Sequence, residues 1–286
     1  LAALIAAVFA WPRRELPAAR YLTTLLLAAA WWAGAITAES AATTIEGKLL
    51  WSQIAYLGTA GLPLCYLLFA AAFTGREKIL KPTSVALLGI PPLVTVALAF
   101  TNALHGWVWT DIIIDPATNL ATYAHGPGFA FLVAHSYIYL GWGLALLVRN
   151  TAKTHGTNRR QVLAIIAATA LPMAANLLYL SPLNPIPGMD WTVPGFVAFA
   201  IVIAWALLHM GLLDVAPIAR AMLIDTMDAG VLVLDPDGNV LDANPAIERF
   251  LGTPPRKLVG HAATDLLAPS PELAAMLAAG ETGVCR

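Results

Sequence analysis

The sequence predicts an all-α bundle of seven membrane-spanning helices, the first of them truncated, followed by a small, partial α/β domain. Three observations carry this. Apolar residues make up 59% of the 286 residues and charged ones only 12%, against roughly 45–50% and about 25% in soluble domains. The charge is also unevenly spread. Up to Leu213 there are eleven Lys/Arg and seven Asp/Glu, nearly all in gaps between apolar runs, whereas the shorter remainder holds five and ten. Finally, the apolar runs recur seven times, all but the truncated first at lengths suited to a bilayer, so the net charge of −1 averages two unlike parts.

A spanning helix needs about 20 mainly apolar residues. The candidate runs are 1–11 (cut short), 20–38, 49–73, 84–104, 128–148, 162–180 and 192–213. Pro63, Pro91, Pro92, Pro172 and Pro194 lie inside them. Membrane helices tolerate proline where neighbours satisfy the freed carbonyls, so kinks are expected rather than breaks in the assignment. The chain starts at Leu1 inside an apolar run and stops at Arg286 before the last domain looks complete, as an internal fragment of a longer protein would.

Orientation follows from the gaps. Arg13, Arg14 and Arg20 flank the first, Arg76, Lys78 and Lys81 the third, and Arg149, Lys153, Arg159 and Arg160 the fifth. The second, fourth and sixth hold only Lys48. Lys and Arg are retained on the cytoplasmic side of a membrane. The expectation is a multi-pass cell-membrane protein with its N-terminus outside and everything after Leu213 in the cytoplasm. The longest gap, 102–127, then lies outside. Ile112–Ile114 and Leu120–Tyr123 flank Asp115-Pro116-Ala117-Thr118-Asn119, which predicts a hairpin. Trp107, Trp109 and Tyr123 are open to two roles, interfacial belt residues or a lid over a pocket.

Three parts result: residues 1–213 in the membrane, a linker helix at 214–228, and a partial domain at 229–286. Asp214 can cap the linker helix, whose Val215, Ile218 and Met222 share a face. It is either a relay of packing changes or a spacer. Val231–Leu234 reads as a strand, Asp235-Pro236-Asp237-Gly238 as a turn, and Val240-Leu241 as the start of the return strand. Asn244 before Pro245 predicts a helix N-cap, and Gly252 a helix stop.

Several classes are excluded or disfavoured. Neither half has the basic face that nucleic-acid binding needs. Cys65 and Cys285 form neither a disulfide framework nor a metal-ligand pattern, and His105, His125, Asp111 and Asp115 match no fixed metal spacing. A retinal photoreceptor needs a lysine deep in a span, and Lys48 stands only at a boundary. A membrane enzyme would need an acid–base pair or nucleophile gathered in the bundle. A transporter or channel with a cytoplasmic regulatory domain is the alternative, which midplane charges or paired broken helices would favour.

The strand–turn–strand–helix order, with Asp235-Pro236-Asp237-Gly238 and Asp242-Ala243-Asn244-Pro245-Ala246, resembles the start of a PAS domain over about 220–286. No cysteine near the helix could form a flavin adduct and His261 stands alone, so no cofactor is evident. The membrane half in turn resembles the seven-helix N-terminal region found on histidine kinases and some diguanylate cyclases. The matching stretches are Leu50-Trp51 with Tyr56-Leu57-Gly58, Phe69 through Phe73-Thr74-Gly75, Thr101-Asn102 with Leu104-His105-Gly106, and Gly126-Pro127-Gly128-Phe129 before His135 and Tyr137. Arg159-Arg160-Gln161, Asn176-Leu177-Leu178-Tyr179 and Asp190 before Pro194 follow.

The resemblance implies the sensory input module of a signal-transduction protein, chiefly a two-component sensor histidine kinase. It also implies a homodimer in a lipid bilayer and a cognate response regulator as partner. The visible chain has no phospho-acceptor helix, ATP-binding lid or cyclase motif, so no catalytic residue is expected in it. The ligand, extracellular or membrane-borne, is not identified by sequence. Gln53, His135, Tyr137, Asn176 and Asp190 stand at one depth in the outer half of the bundle, with Tyr56, Tyr139 and Tyr179 available beside them. Polar groups in hydrocarbon are costly unless paired. These five are therefore either the lining of an outward-facing ligand pocket or separate interhelical hydrogen-bonding contacts.

Overall fold

A computed structural model of the chain describes residues 1–152, 156–186, 189–213, 226–235 and 237–267. The chain divides into two compact units, Leu1–Leu213 and Asp214–Arg286. In the first, the helices are α1 (Ala2–Ala10), α2 (Pro17–Ala41), α3 (Ile45–Thr59), α4 (Leu62–Phe73), α5 (Pro82–Phe100) and the single turn α6 (Asn102–His105). A hairpin of β1 (Trp109–Ile114) and β2 (Ala121–His125) precedes α7 (Pro127–Thr151), α8 (Gly156–Leu180) and α9 (Thr192–His209). Among the described residues six segments are long and apolar enough to cross a membrane, and Ala2–Arg13 is a shorter apolar helix before them.

The bundle closes on itself. α1 packs between α2 and α9, α9 against α8, α8 against α7, and α7 against both α4 and α5. Small, aliphatic and aromatic side chains fill the centre, among them Leu22, Leu26, Phe69, Ile165, Phe199 and Ile203. Large apolar residues are left on the outside: Leu87, Ile90 and Leu93 on α5, Ile138 and Trp142 on α7, Ile201 and Trp205 on α9. Apolar side chains outside as well as inside are what a helix meeting lipid requires.

The predicted third span is one membrane segment but two helices. Pro63 has no N–H to give the carbonyl four residues back, so α3 ends at Thr59 and α4 restarts after Ala60-Gly61. Gly58 lets this joint press against α2, where a Cβ would stand 2.7 Å from the Ala28 carbonyl oxygen. Pro91 and Pro92 stay inside α5, and Pro172 inside α8.

The hairpin pairs Ile112 with Tyr123 and Ile114 with Ala121. At its turn the Asp115 carboxylate accepts from Thr118 Oγ1 at 2.7 Å and from Ala117 N at 3.0 Å, which holds its pKa below the usual range. Asn119 takes the left-handed conformation (φ 57°) and donates through Nδ2 to the Ser40 and Ala42 carbonyls. This ties the turn to the end of α2. Of the three aromatic residues with open roles, Trp107 is exposed. Trp109 is buried edge-on against Tyr56, so it is packing rather than a belt residue.

In the second unit β3 (Leu232–Leu234) pairs antiparallel with β4 (Val240–Ala243). Asp235 organises the turn, its Oδ1 accepting from Asp237 N and Asn239 N, and Gly238 supplies φ 84°. Among the described residues three short helices follow: α10 (Ile247–Leu251), α11 (Pro255–Leu258) and α12 (Ala263–Leu267). Val240, Ile247, Leu258 and Ala263 form their core. Gly252 ends α10 in the left-handed conformation, as expected. The N-cap role expected of Asn244 is corrected. Its buried side chain instead accepts from Val231 N and donates to the Ala229 carbonyl, fastening the entry to β3. The linker helix expected at 214–228 falls largely outside the described residues.

Candidate functional site

The ends of α2 and α8 and the starts of α3, α7 and α9 meet at the hairpin end of the bundle. Between them lies a cavity of about 190 Å³. One water needs about 10–15 Å³ on that measure, so the space suits a small organic molecule. Its wall is largely apolar, from Leu25 and Trp32 on α2 to Phe196 and Phe199 on α9. Trp109 and His125 of the hairpin close one side.

A polar row runs along the wall. Tyr137 on α7 donates its hydroxyl proton to Asn176 Oδ1 on α8 at 2.8 Å, and Asn176 Nδ2 donates to Thr192 Oγ1 on α9 at 3.0 Å. Thr192 N donates in turn to Asp190 Oδ1 at 2.8 Å. Three helices are thus joined through side chains that also face the cavity. Burial raises the Asp190 carboxyl above its usual pKa, and its bonds to Thr192 hold the rise back. Across the mouth, Tyr179 Oη lies 3.5 Å from His125 Nε2. His125 stacks on Phe129, with centroids 3.6 Å apart and planes within 9°, and burial lowers its pKa. On α4 the Tyr66 hydroxyl is buried without a hydrogen bond of good geometry, with Thr169 beside it.

Of the five residues singled out by sequence, the fold brings Tyr137, Asn176 and Asp190 to this cavity and turns two away. Gln53 donates to the Ala99 carbonyl at 3.1 Å, joining α3 to α5. His135 is buried, with Nδ1 donating to the Phe131 carbonyl at 3.0 Å and its ring edge-on to Tyr139. Helical phase explains the split. Residues 135 and 137 are about 200° apart on a helix, so they cannot face one cavity together. Tyr56 and Tyr179 reach the wall, whereas Tyr139 bonds the Leu88 carbonyl on α5 at 2.8 Å.

A second polar cluster, not foreseen, sits beside the cavity. Lys48 is fully buried and pairs with Glu39 Oε1 at 3.5 Å, with Nζ also donating to the Glu39 carbonyl at 3.1 Å. Tyr123 of β2 donates to Glu39 Oε1 at 2.9 Å and shares a 2.7 Å hydrogen bond with Ser52. Burial raises the Tyr123 pKa. Lys48, read from sequence as a boundary residue, is therefore buried and ties α3 to α2, while Tyr123 brings in the hairpin through Glu39 and Ser52. Glu39, an acid directly after the apolar run 20–38, was the signal available for it. Among the described residues no group of three metal-ligating side chains occurs.

A family model described as the N-terminal 7TM region of histidine kinase matches residues 1–217, and one described as a PAS fold matches residues 224–281. No curated protein and no solved structure matches the chain. The six long apolar helices, the short one before them and the small antiparallel sheet of the second unit agree with both matches. With most of its length covered, the chain belongs to the family of histidine-kinase N-terminal seven-transmembrane regions, here followed by a PAS fold.

Proposed function

We propose that this chain is the input part of a two-component sensor histidine kinase, with a small ligand held in the cavity as its stimulus. The coarser statement stands on the family: it is a multi-pass membrane sensory module of a signalling protein. The observation that carries the finer one is the row Tyr137–Asn176–Thr192, which lines the cavity and bonds α7, α8 and α9 to one another. A ligand that competes for either bond changes the relative stability of two packings of these helices, and that difference is a population shift. The α9 helix then carries the bias towards the PAS fold.

Ten basic residues in the odd gaps against Lys48 in the even ones support an orientation with the cavity on the outer side and the PAS fold in the cytoplasm. The PAS fold is read as acting through packing rather than through a cofactor. A homodimer and a cognate response regulator complete the reading.

The test uses the full-length protein in nanodiscs with ATP. Phosphohistidine should form in the wild type. Ser136 lines the cavity and makes no described hydrogen bond, so Ser136→Phe fills the space without breaking the polar row. It should shift the basal rate at least severalfold at unchanged melting temperature. Absence of phosphohistidine would sink the kinase output, and a wild-type rate in Ser136→Phe would remove the cavity from signalling.

A further inference from the structure

The cavity has a pronounced chemical bias. Among the described residues, nine that line it are Phe, Tyr or Trp, and Asp190 is the only formally charged side chain, with no Lys or Arg in the wall. Trp109, Phe129 and Tyr179 stand at the hairpin end with it. Asp190 Oδ1 is occupied by Thr192 N, and among the described residues no Lys or Arg pairs with the carboxylate.

A second observation points the same way. Of the seven Asp/Glu in residues 1–213, five lie at this end of the bundle: Glu39, Glu46, Asp111, Asp115 and Asp190. The one Lys or Arg there, Lys48, is already spent on Glu39. Asp and Glu contribute little to orienting a membrane protein, so topology does not call for this excess. A mouth of one sign concentrates ligands of the other.

We propose that the cavity binds a small organic monocation, an alkyl- or arylammonium, with its charge at the Asp190 carboxylate and its apolar body against the aromatic wall. The inference rests on the cavity being a ligand site. Aromatic faces attract cations through their quadrupole, more strongly once water is excluded. An anion would meet an unpaired carboxylate, and a neutral ligand would leave that carboxylate buried without a counter-charge. The raised Asp190 pKa is how a carboxyl responds to burial without such a charge, and a bound ammonium supplies it.

The experiment compares benzyltrimethylammonium with its uncharged isostere neopentylbenzene, using the full chain in uncharged maltoside micelles. Tryptophan fluorescence reports binding, since Trp32 and Trp109 line the cavity. The cation should bind saturably and at least about tenfold more tightly than the isostere. Asp190→Asn keeps the acceptor for Thr192 N. It should weaken the cation by a similar factor and leave the isostere within about twofold. Equal binding of the two probes to the wild type, or an unchanged cation affinity in a folded Asp190→Asn protein, overturns the cation while leaving the cavity as a site. Binding of neither probe overturns both. The wild-type comparison decides even where the variant does not fold.

Discussion

Lys48 and Glu39 show how far a charged side chain can be taken from water when its partners are built in. Lys48 has no exposed surface, and Glu39 accepts from both Lys48 and Tyr123. Removing one member of a buried pair leaves the other charge uncompensated, at a cost of about 3–5 kcal/mol. Lys48→Met should therefore lower unfolding stability by about that amount in a denaturant titration of the purified chain. The double change Lys48→Met with Glu39→Gln should recover most of the loss. Equal stability of the wild type and the single variant would show that the pair is not held in the folded protein. The Tyr137–Asn176–Thr192 row differs in kind. Its groups are neutral, so breaking it costs less, and a bond that is cheap to exchange suits a switching role.

At the scale of elements, the hairpin is held by a few identifiable contacts. Trp109 packs on Tyr56, Tyr123 reaches Glu39 and Ser52, and Asn119 holds the end of α2. Asn119→Gly keeps the left-handed backbone accessible while removing both side-chain bonds. At about 0.5–1.5 kcal/mol per hydrogen bond, with the solvent-exposed member at the low end, roughly 1 kcal/mol of local stability should go. Amide exchange at Ile112–Ile114 should then quicken several-fold while the middle of α7 is unaffected. Unchanged exchange in the hairpin would mean that Trp109 and Tyr123 alone hold it down. The two helices of the third span carry a related lesson. The composition of 49–73 marks one crossing, but the absent N–H of Pro63 places a joint in it, and the joint faces α2 through Gly58.

For the whole molecule, orientation is the property on which the sensory reading depends. Ala117 in the hairpin turn and Glu77 in the third gap are both exposed and lie at opposite ends of the bundle. With Cys65 and Cys285 replaced, Ala117→Cys should react with a membrane-impermeant maleimide in intact cells. Glu77→Cys should react only after permeabilisation. The reverse pattern would turn the cavity to the cytoplasm and remove the proposed outer ligand.

Crossings, gaps and the charge asymmetry were legible in the sequence because each is a one-dimensional property. A bilayer demands about 20 apolar residues wherever a helix crosses, and Lys and Arg are sorted by side whatever the helices do inside. The hairpin, the Asp235 turn and the Gly252 stop were legible for the same reason, since their chemistry is local. The site was only partly so. Its depth could be read, and that depth led to Tyr137, Asn176 and Asp190. Which way each side chain faces depends on helical phase, and one residue turns a helix by about 100°. His135 and Gln53 share that depth but point to other partners, and Ser136 and Thr192 joined the wall without a sequence signal of their own. Composition and local chemistry determined that this chain is a multi-pass membrane protein whose apolar helices are followed by a PAS fold. Only the packing of the helices decided which polar groups meet, because convergence is a relation between distant segments and no single segment encodes it.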